Sequence, residues 1–400
     1  MTRAPLVSAP VGRMGLILLG VCLLPGGPIL AQLEGGVAPR PNEFKLSIGV
    51  GAGYTSNSGL QSSQGEVNGD SMGDLRAGLV DHRSSPRTDW SAKYDAFYRA
   101  YASSSDFDSF NHSLGYDGLY LLTARVRLKL YESFFYSRNP LQTGVETPGS
   151  DTVVLTRQSN RWRSNSNVAL DTLVSRSLTL QIGAASRIER LDLSPSIDIN
   201  AYSGRVGLSK KLGREDSVSS QYTYSRFNFS GEGTTSSEAN GLDFSWSHGP
   251  AEGATCALSA GVSRVVQGGA SQQLFTAGAA FSHPLRQSSL VWGYHRSLDA
   301  DAAIASVTVA QNAYAGLTRR IGRSGSLGVV GEYGTRDSTG GTLDTVALRY
   351  AGGAVRGSVA LSPRCQLSGE ARRRKQTTTE GTGDDLTVDT FLLGVVVQVF

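Results

Sequence analysis

The sequence predicts an all-β protein: a transmembrane, antiparallel, up-and-down β-barrel of about 18 strands, with about 16 as the alternative count. Three observations carry this reading. Apolar residues recur at every second position in one segment after another. Short turns alternate with long polar connections. The chain closes on FLLGVVVQVF, Phe391 to Phe400, an apolar run too short for a spanning helix, which needs about 20 residues, yet as long as one tilted transmembrane strand.

Composition agrees. The 400 residues include 48 Gly and only 3 Met, the hydrophobic fraction is 39%, and the mean hydropathy is −0.18. Beyond the N-terminus no apolar stretch reaches the length of a helical span. A membrane barrel escapes hydropathy because alternate residues face a polar lumen.

Residues 1–31 are expected to form a secretory signal peptide. Arg3 and Arg13 supply its positive region, Met14 to Pro25 its apolar run, and Ala31 its cleavage point. Val21 stands where a lipoprotein signal would place a small residue before Cys22, which argues against lipidation. Residues 32–43 are expected as a periplasmic linker and 44–400 as the barrel. Removing the signal leaves bases and acids nearly balanced, which gives no basis for nucleic-acid binding. Cys256 and Cys365 fall on outward strand positions, far apart in sequence, and read as small apolar residues.

The first strand sets the pattern. Phe44, Leu46, Ile48, Val50, Ala52 and Tyr54 alternate with Lys45, Ser47, Gly49, Gly51 and Gly53. Trp90, Ala92, Tyr94, Ala96 and Tyr98 then oppose Lys93, Asp95 and Arg99. Val126, Leu128 and Leu130 oppose Arg125, Arg127 and Lys129, and Leu178, Leu180 and Ile182 oppose Gln181, Arg187 and Glu189. Further strands follow around Leu290, Trp292 and Tyr294 and around Leu327, Val329 and Tyr333. Thr342 to Leu361 reads as one long strand kinked at Gly352-Gly353, and a weaker strand lies near Leu75.

Short connections fall near Pro86, Thr123, Lys210, His248, His283, Arg319 and Ser362, and long polar ones begin at Ser56, Ser137, Ser230, Thr335 and Thr377. Short turns on one side and long loops on the other is the outer-membrane arrangement, and an even strand number leaves both termini in the periplasm. Without water in the bilayer core, closure into a barrel is what satisfies the backbone.

Catalysis is not expected. The five His are scattered, no Cys–His spacing suggests a metal, and GVGAGY lies in a strand with no helix after it. No cofactor is implied. With only a short linker before Phe44, neither a plug nor a passenger domain is expected.

The lumen carries the remaining signal. The alternation turns Lys45, Lys93, Arg99, Arg125, Arg127, Lys129, Arg161, Arg163, Arg187, Arg205, Arg349, Arg356, Arg372 and Arg374 inward. Asp95, Asp117, Asp171, Glu189, Asp243, Glu332 and Glu370 oppose them. An excess of base favours anions, whereas cross-strand pairing would merely solvate the wall. Arg125, Arg127 and Lys129 are the foremost candidates, followed by Arg372 and Arg374. Phe97, Tyr101, Phe135, Phe227 and Phe229 also point inward, for sugar stacking or for packing. Glu132 falls on the lipid face, so a bulge or register shift is expected there. Pro140 to Ser150 is a candidate constriction loop.

Phe400 resembles the terminal aromatic of bacterial outer-membrane proteins, the signal read by the barrel-insertion machinery, although Gln398 departs from the large apolar residue favoured two places before the end. Leu46 to Gly59, with Gly53, Tyr54 and Asn57, resembles the opening strand of an outer-membrane β-barrel porin family associated with exopolysaccharide export. That resemblance implies an exit conduit for a polysaccharide across the outer membrane of a Gram-negative-type bacterium, working with a separate periplasmic polysaccharide-export protein. Two alternatives stand beside it: a general or anion-preferring diffusion porin for small anionic solutes, and a structural outer-membrane protein.

Overall fold

The computed structural model describes residues 42–57, 69–138, 160–192, 198–230, 236–249, 253–301, 306–338, 347–378 and 385–399. The expected signal peptide, most of the expected linker, the Pro140 to Ser150 loop and Phe400 lie outside these residues.

Alternation of apolar and polar residues folds the chain into 18 strands. In chain order they are β1 (Glu43–Thr55), β2 (Asp70–Ser84), β3 (Thr88–Tyr101), β4 (Ser109–Thr123), β5 (Val126–Ser137) and β6 (Arg161–Leu173). There follow β7 (Leu178–Leu191), β8 (Asp198–Lys211), β9 (Asp216–Ser230), β10 (Ser237–His248), β11 (Thr255–Gln267) and β12 (Ala270–Pro284). The last six are β13 (Ser288–Asp301), β14 (Ser306–Ile321), β15 (Gly325–Ser338), β16 (Ala347–Ser362), β17 (Cys365–Thr378) and β18 (Asp385–Gln398). Each pairs antiparallel with its sequence neighbours, and β1 pairs with β18, so the sheet closes on itself. The only helix among the described residues is one 3₁₀ turn, Ser105–Phe107.

A 14-residue strand such as β3, at about 3.3 Å per residue and a tilt of about 40°, rises about 35 Å, more than the apolar band of about 25 Å that a membrane barrel presents. The outside supplies that band: Val50, Leu75, Phe244, Val262, Phe275 and Leu393 are each more than half exposed. Outward aromatics lie toward both ends of it. Trp90 stacks on Tyr116 and Phe281 on Trp292 toward the turn end, while Tyr54, Phe110, Tyr202 and Tyr333 lie toward the loop end. This is the build of a transmembrane β-barrel.

The closing seam is made of backbone. Gly51 stands opposite Gly394, and a Cβ on Gly53 would collide with the Phe391 carbonyl oxygen. At the loop end, β11 and β12 are joined by Gly268 and Gly269 alone, with φ of 57° and 84°, the left-handed values a two-residue hairpin requires. Loop-side connections are therefore not uniformly long.

Three expectations need correction. Arg125 lies in the β4–β5 turn and is exposed there, off the lumen wall. The β15–β16 and β16–β17 ladders run unbroken through Gly352 and Gly353, so no kink reverses the faces and Arg349 points outward. No bulge occurs at Glu132: the ladders on both sides of β5 are continuous there, and the carboxylate faces outward, accepting a 2.9 Å hydrogen bond from Ser164 Oγ.

Candidate functional site

Strand parity aims Lys93 and Arg99 of β3, Arg127 and Lys129 of β5, Arg161 and Arg163 of β6, Arg187 of β7, and Arg372 and Arg374 of β17 into the lumen. Lys45, Arg205 and Arg356 join them. The seven expected acids and the five inward aromatics also lie on that face. Sequence reading missed Arg76 and Arg336, and with them Asp70, Asp74, Asp89 and Asp299, which narrow the expected excess of base. The alternation of Met72, Asp74 and Arg76 against Leu75 and Ala77 would have disclosed part of this set.

Most of these charges are paired, and the buried pairs gather toward the loop end. Arg99 grips Asp74 through two parallel hydrogen bonds of 2.7 and 2.8 Å, with both side chains almost wholly buried. Such a fork fixes geometry as well as charge. Glu189, 1% exposed, sits among Arg161 at 2.6 Å, Arg163 at 3.1 Å and Arg187 at 2.7 Å. Arg374 reaches Glu332 at 3.1 Å, and Arg356 and Arg372 share Glu370. Closer to the turns, Lys129 meets Asp171 at 2.7 Å. Among the described residues, Lys93 and Arg127 have no acidic partner at ion-pair distance.

One hairpin leaves the wall. The β12–β13 ladder stops at Ala277 opposite Arg296, although β12 begins at Ala270 and β13 runs on to Asp301. Beyond that point β13 keeps its pairing to β14, and β14 keeps its pairing to β15 as far as Thr308 opposite Ser338. Detached on one side, the hairpin curls across the lumen. Cα atoms of β13 lie within 8 Å of β8, although β9 to β12 stand between them along the wall. Asp299 lands on Arg187 of β7 at 2.8 Å and on Arg336 of β15 at 3.3 Å. Beside this latch, Ala300, Val307 and Val309 pack with Leu191, Ile199, Phe227, Phe229, Val265 and Leu274. Beside the buried ion pairs, the loop half thus holds a packed apolar core between β7 and β14, with Ile199 and Val307 at 0% exposure. Phe227 and Phe229, sugar-stacking candidates by sequence, belong to that core.

Nearer the turns the interior is open. A recess of about 370 Å³ lies along the wall from β14 through β18 and β1 to β2. Gly49, Gly51 and Gly394 deepen it by bringing no side chains, and Arg76, Arg356, Glu370, Ser358 and Ser368 line it. Leu392 and Val396 add apolar surface, so its lining is mixed.

No protein-family model and no curated protein matches the sequence. Among solved structures, the chain is similar to Pseudomonas aeruginosa OccK2 (OpdF) in complex with glucuronate, at 11% identity and a TM-score of 0.48, covering 90% of this chain and 99% of that one. It is also similar to the siderophore receptor PirA from Pseudomonas aeruginosa, at 10% identity and a TM-score of 0.44, covering 90% and 81%. Likenesses this distant lend neither protein's activity to this chain, and the barrel rests on its own strand pairings.

Proposed function

We propose that the protein is an outer-membrane porin that passes small hydrophilic solutes, with a preference for anions. The observation that carries this reading is the lumen itself: a closed barrel of 18 strands, wide enough for an aqueous channel, whose turn half is open and where Lys93 and Arg127 lack acidic partners among the described residues. Unneutralised bases in a confined pore raise the local concentration of anions. Solute binding in such a lumen is transient, since conduction requires that a solute leave as readily as it enters.

A polysaccharide conduit, implied by the resemblance of the first strand, would need a clear loop half. There the β13–β14 hairpin is packed against β8, which favours small solutes over a polymer. Planar-bilayer recording of the purified protein tests this. An anion-selective conductance indifferent to acidic and neutral polysaccharides is expected. Block by an acidic polymer would restore the conduit, and absence of conductance would favour a structural role.

A further inference from the structure

We infer that the described loop-side ends of β13 and β14, residues 297–301 and 306–309, form a gate that exchanges partners. Packed against β8 it closes the loop half of the lumen; paired with β12 it completes the wall and clears the lumen. The inference rests on the channel reading above and adds a mechanism to it.

The unfinished ladder is the first observation. From Ala270 to Thr276, β12 has β11 on one side and no β13 partner on the other, although β13 continues for five residues beyond Arg296. A strand edge with unpaired N–H and C=O groups is a template for another strand, and the nearest strand of matching direction is β13 itself. Ala270, Ser271, Gln272 and Gln273 along that edge are exposed, and among the described residues no strand pairs with it there.

Register is the second. Extending the ladder from Ala277 opposite Arg296 puts Thr276 opposite Ser297, Phe275 opposite Leu298 and Leu274 opposite Asp299. The first two pairs match the wall, and the third sets the core residue Leu274 opposite Asp299 on the lumen face. Phe275 and Leu298 both fall on the outward face, beside the apolar band, and Thr276, Ser297 and Asp299 fall on the lumen face. The residues now folded inward therefore already carry the alternation of a wall strand.

The third is the latch. Among the described side chains, the inward position is held by Asp299, between Arg187 and Arg336, and by the packing of Ala300, Val307 and Val309. Attachment to β15 persists throughout, so the hairpin moves as a flap hinged on one side. Opening trades apolar packing and the Asp299–Arg187 ion pair across the lumen for ladder hydrogen bonds along β12, an exchange between two discrete arrangements of the kind that makes a switch.

Bilayer recording of the full-length folded protein tests the gate, with heat-modifiable migration as the check that each variant is folded. Asp299→Asn is expected to raise the open fraction several-fold. In a chain carrying Cys256→Ser and Cys365→Ser, the pair Phe275→Cys and Leu298→Cys stands opposed only in the extended ladder. Its oxidation is expected to hold the channel open, and reduction to restore the original behaviour. A folded, conducting protein in which this disulfide never forms, or forms without changing conductance, overturns the gate. If the oxidised pair and the unsubstituted protein both fail to conduct, the channel reading falls and the gate falls with it.

Discussion

Glu189 shows how much a single lumen residue decides. It is the acid among Arg161, Arg163 and Arg187, and burial removes the water that would otherwise screen them. Breaking one partner out of a buried ion-pair cluster costs about 3–5 kcal/mol, because the remaining charges stay buried without compensation. Glu189→Gln should therefore lower the temperature at which the folded band is lost on a gel. In the same protein, reversal potentials in a salt gradient should shift toward stronger anion preference. A shift toward cations would contradict the charge assignment of this cluster. Residue identity and face were legible here from alternation alone, since Arg187 and Glu189 share parity. Partnership was not, because Arg161 and Arg163 come from another strand and Asp299 from across the barrel. Arg125 failed for a related reason: it alternates with Arg127 and Lys129 whether or not the strand has begun, and only backbone hydrogen bonding marks the boundary.

Among the strands, β5 carries the plainest conflict between pattern and cost. A carboxylate at the middle of an outward face is expensive, which made a bulge at Glu132 the natural expectation. The strand instead keeps its register and lends Glu132 a hydroxyl from Ser164 on β6. Replacing Glu132 by Leu should stabilise the barrel by about 1 kcal/mol in lipid, since acids on the lipid face are less costly than the about 2–4 kcal/mol of central bases. Reversible urea unfolding in vesicles checks the sign. A loss of stability would show that the outward face at Glu132 contacts something other than lipid. The β13–β14 hairpin was illegible at this scale because Leu290, Trp292, Tyr294 and Leu298 alternate as in a wall strand, with Arg296 as the one break on that face. Its departure from the wall is a tertiary choice between two surfaces that the same alternation satisfies. The glycine pair in β16 misled in the opposite direction: Gly352 and Gly353 weaken local preference, but continuous ladders to β15 and β17 hold the strand straight.

For the whole molecule, alternation and connection length disclosed the architecture, and the closed barrel follows them strand by strand. The electrostatic character was less well disclosed, because acids on the weakly apolar β2 and on the inturned hairpin offset part of the basic excess. What remains is a modest field set by residues such as Lys93 and Arg127, and salt should erase it. The Debye length falls from about 10 Å at 0.1 M to about 3 Å at 1 M. The anion-to-cation permeability ratio should accordingly approach unity in 1 M salt. A ratio unchanged by salt would locate selectivity in close contacts at a constriction.

The pairing of Ser47 with Gln398 across the β1–β18 seam also governs when the protein becomes whole. Each of β2 to β17 can settle on a strand next to it in sequence, but the seam joins the two strands furthest apart in the chain. The equilibrium cost of that long closure is small, since each doubling of loop length adds only about 0.6 kcal/mol. Its consequence is one of timing: contacts of such separation form late, and until then β1 keeps a bare edge that neighbouring chains can claim. Removing Phe391–Gln398 should prolong that interval without end, leaving a product that resists neither protease nor heat and that accumulates as pairs and higher assemblies during biogenesis.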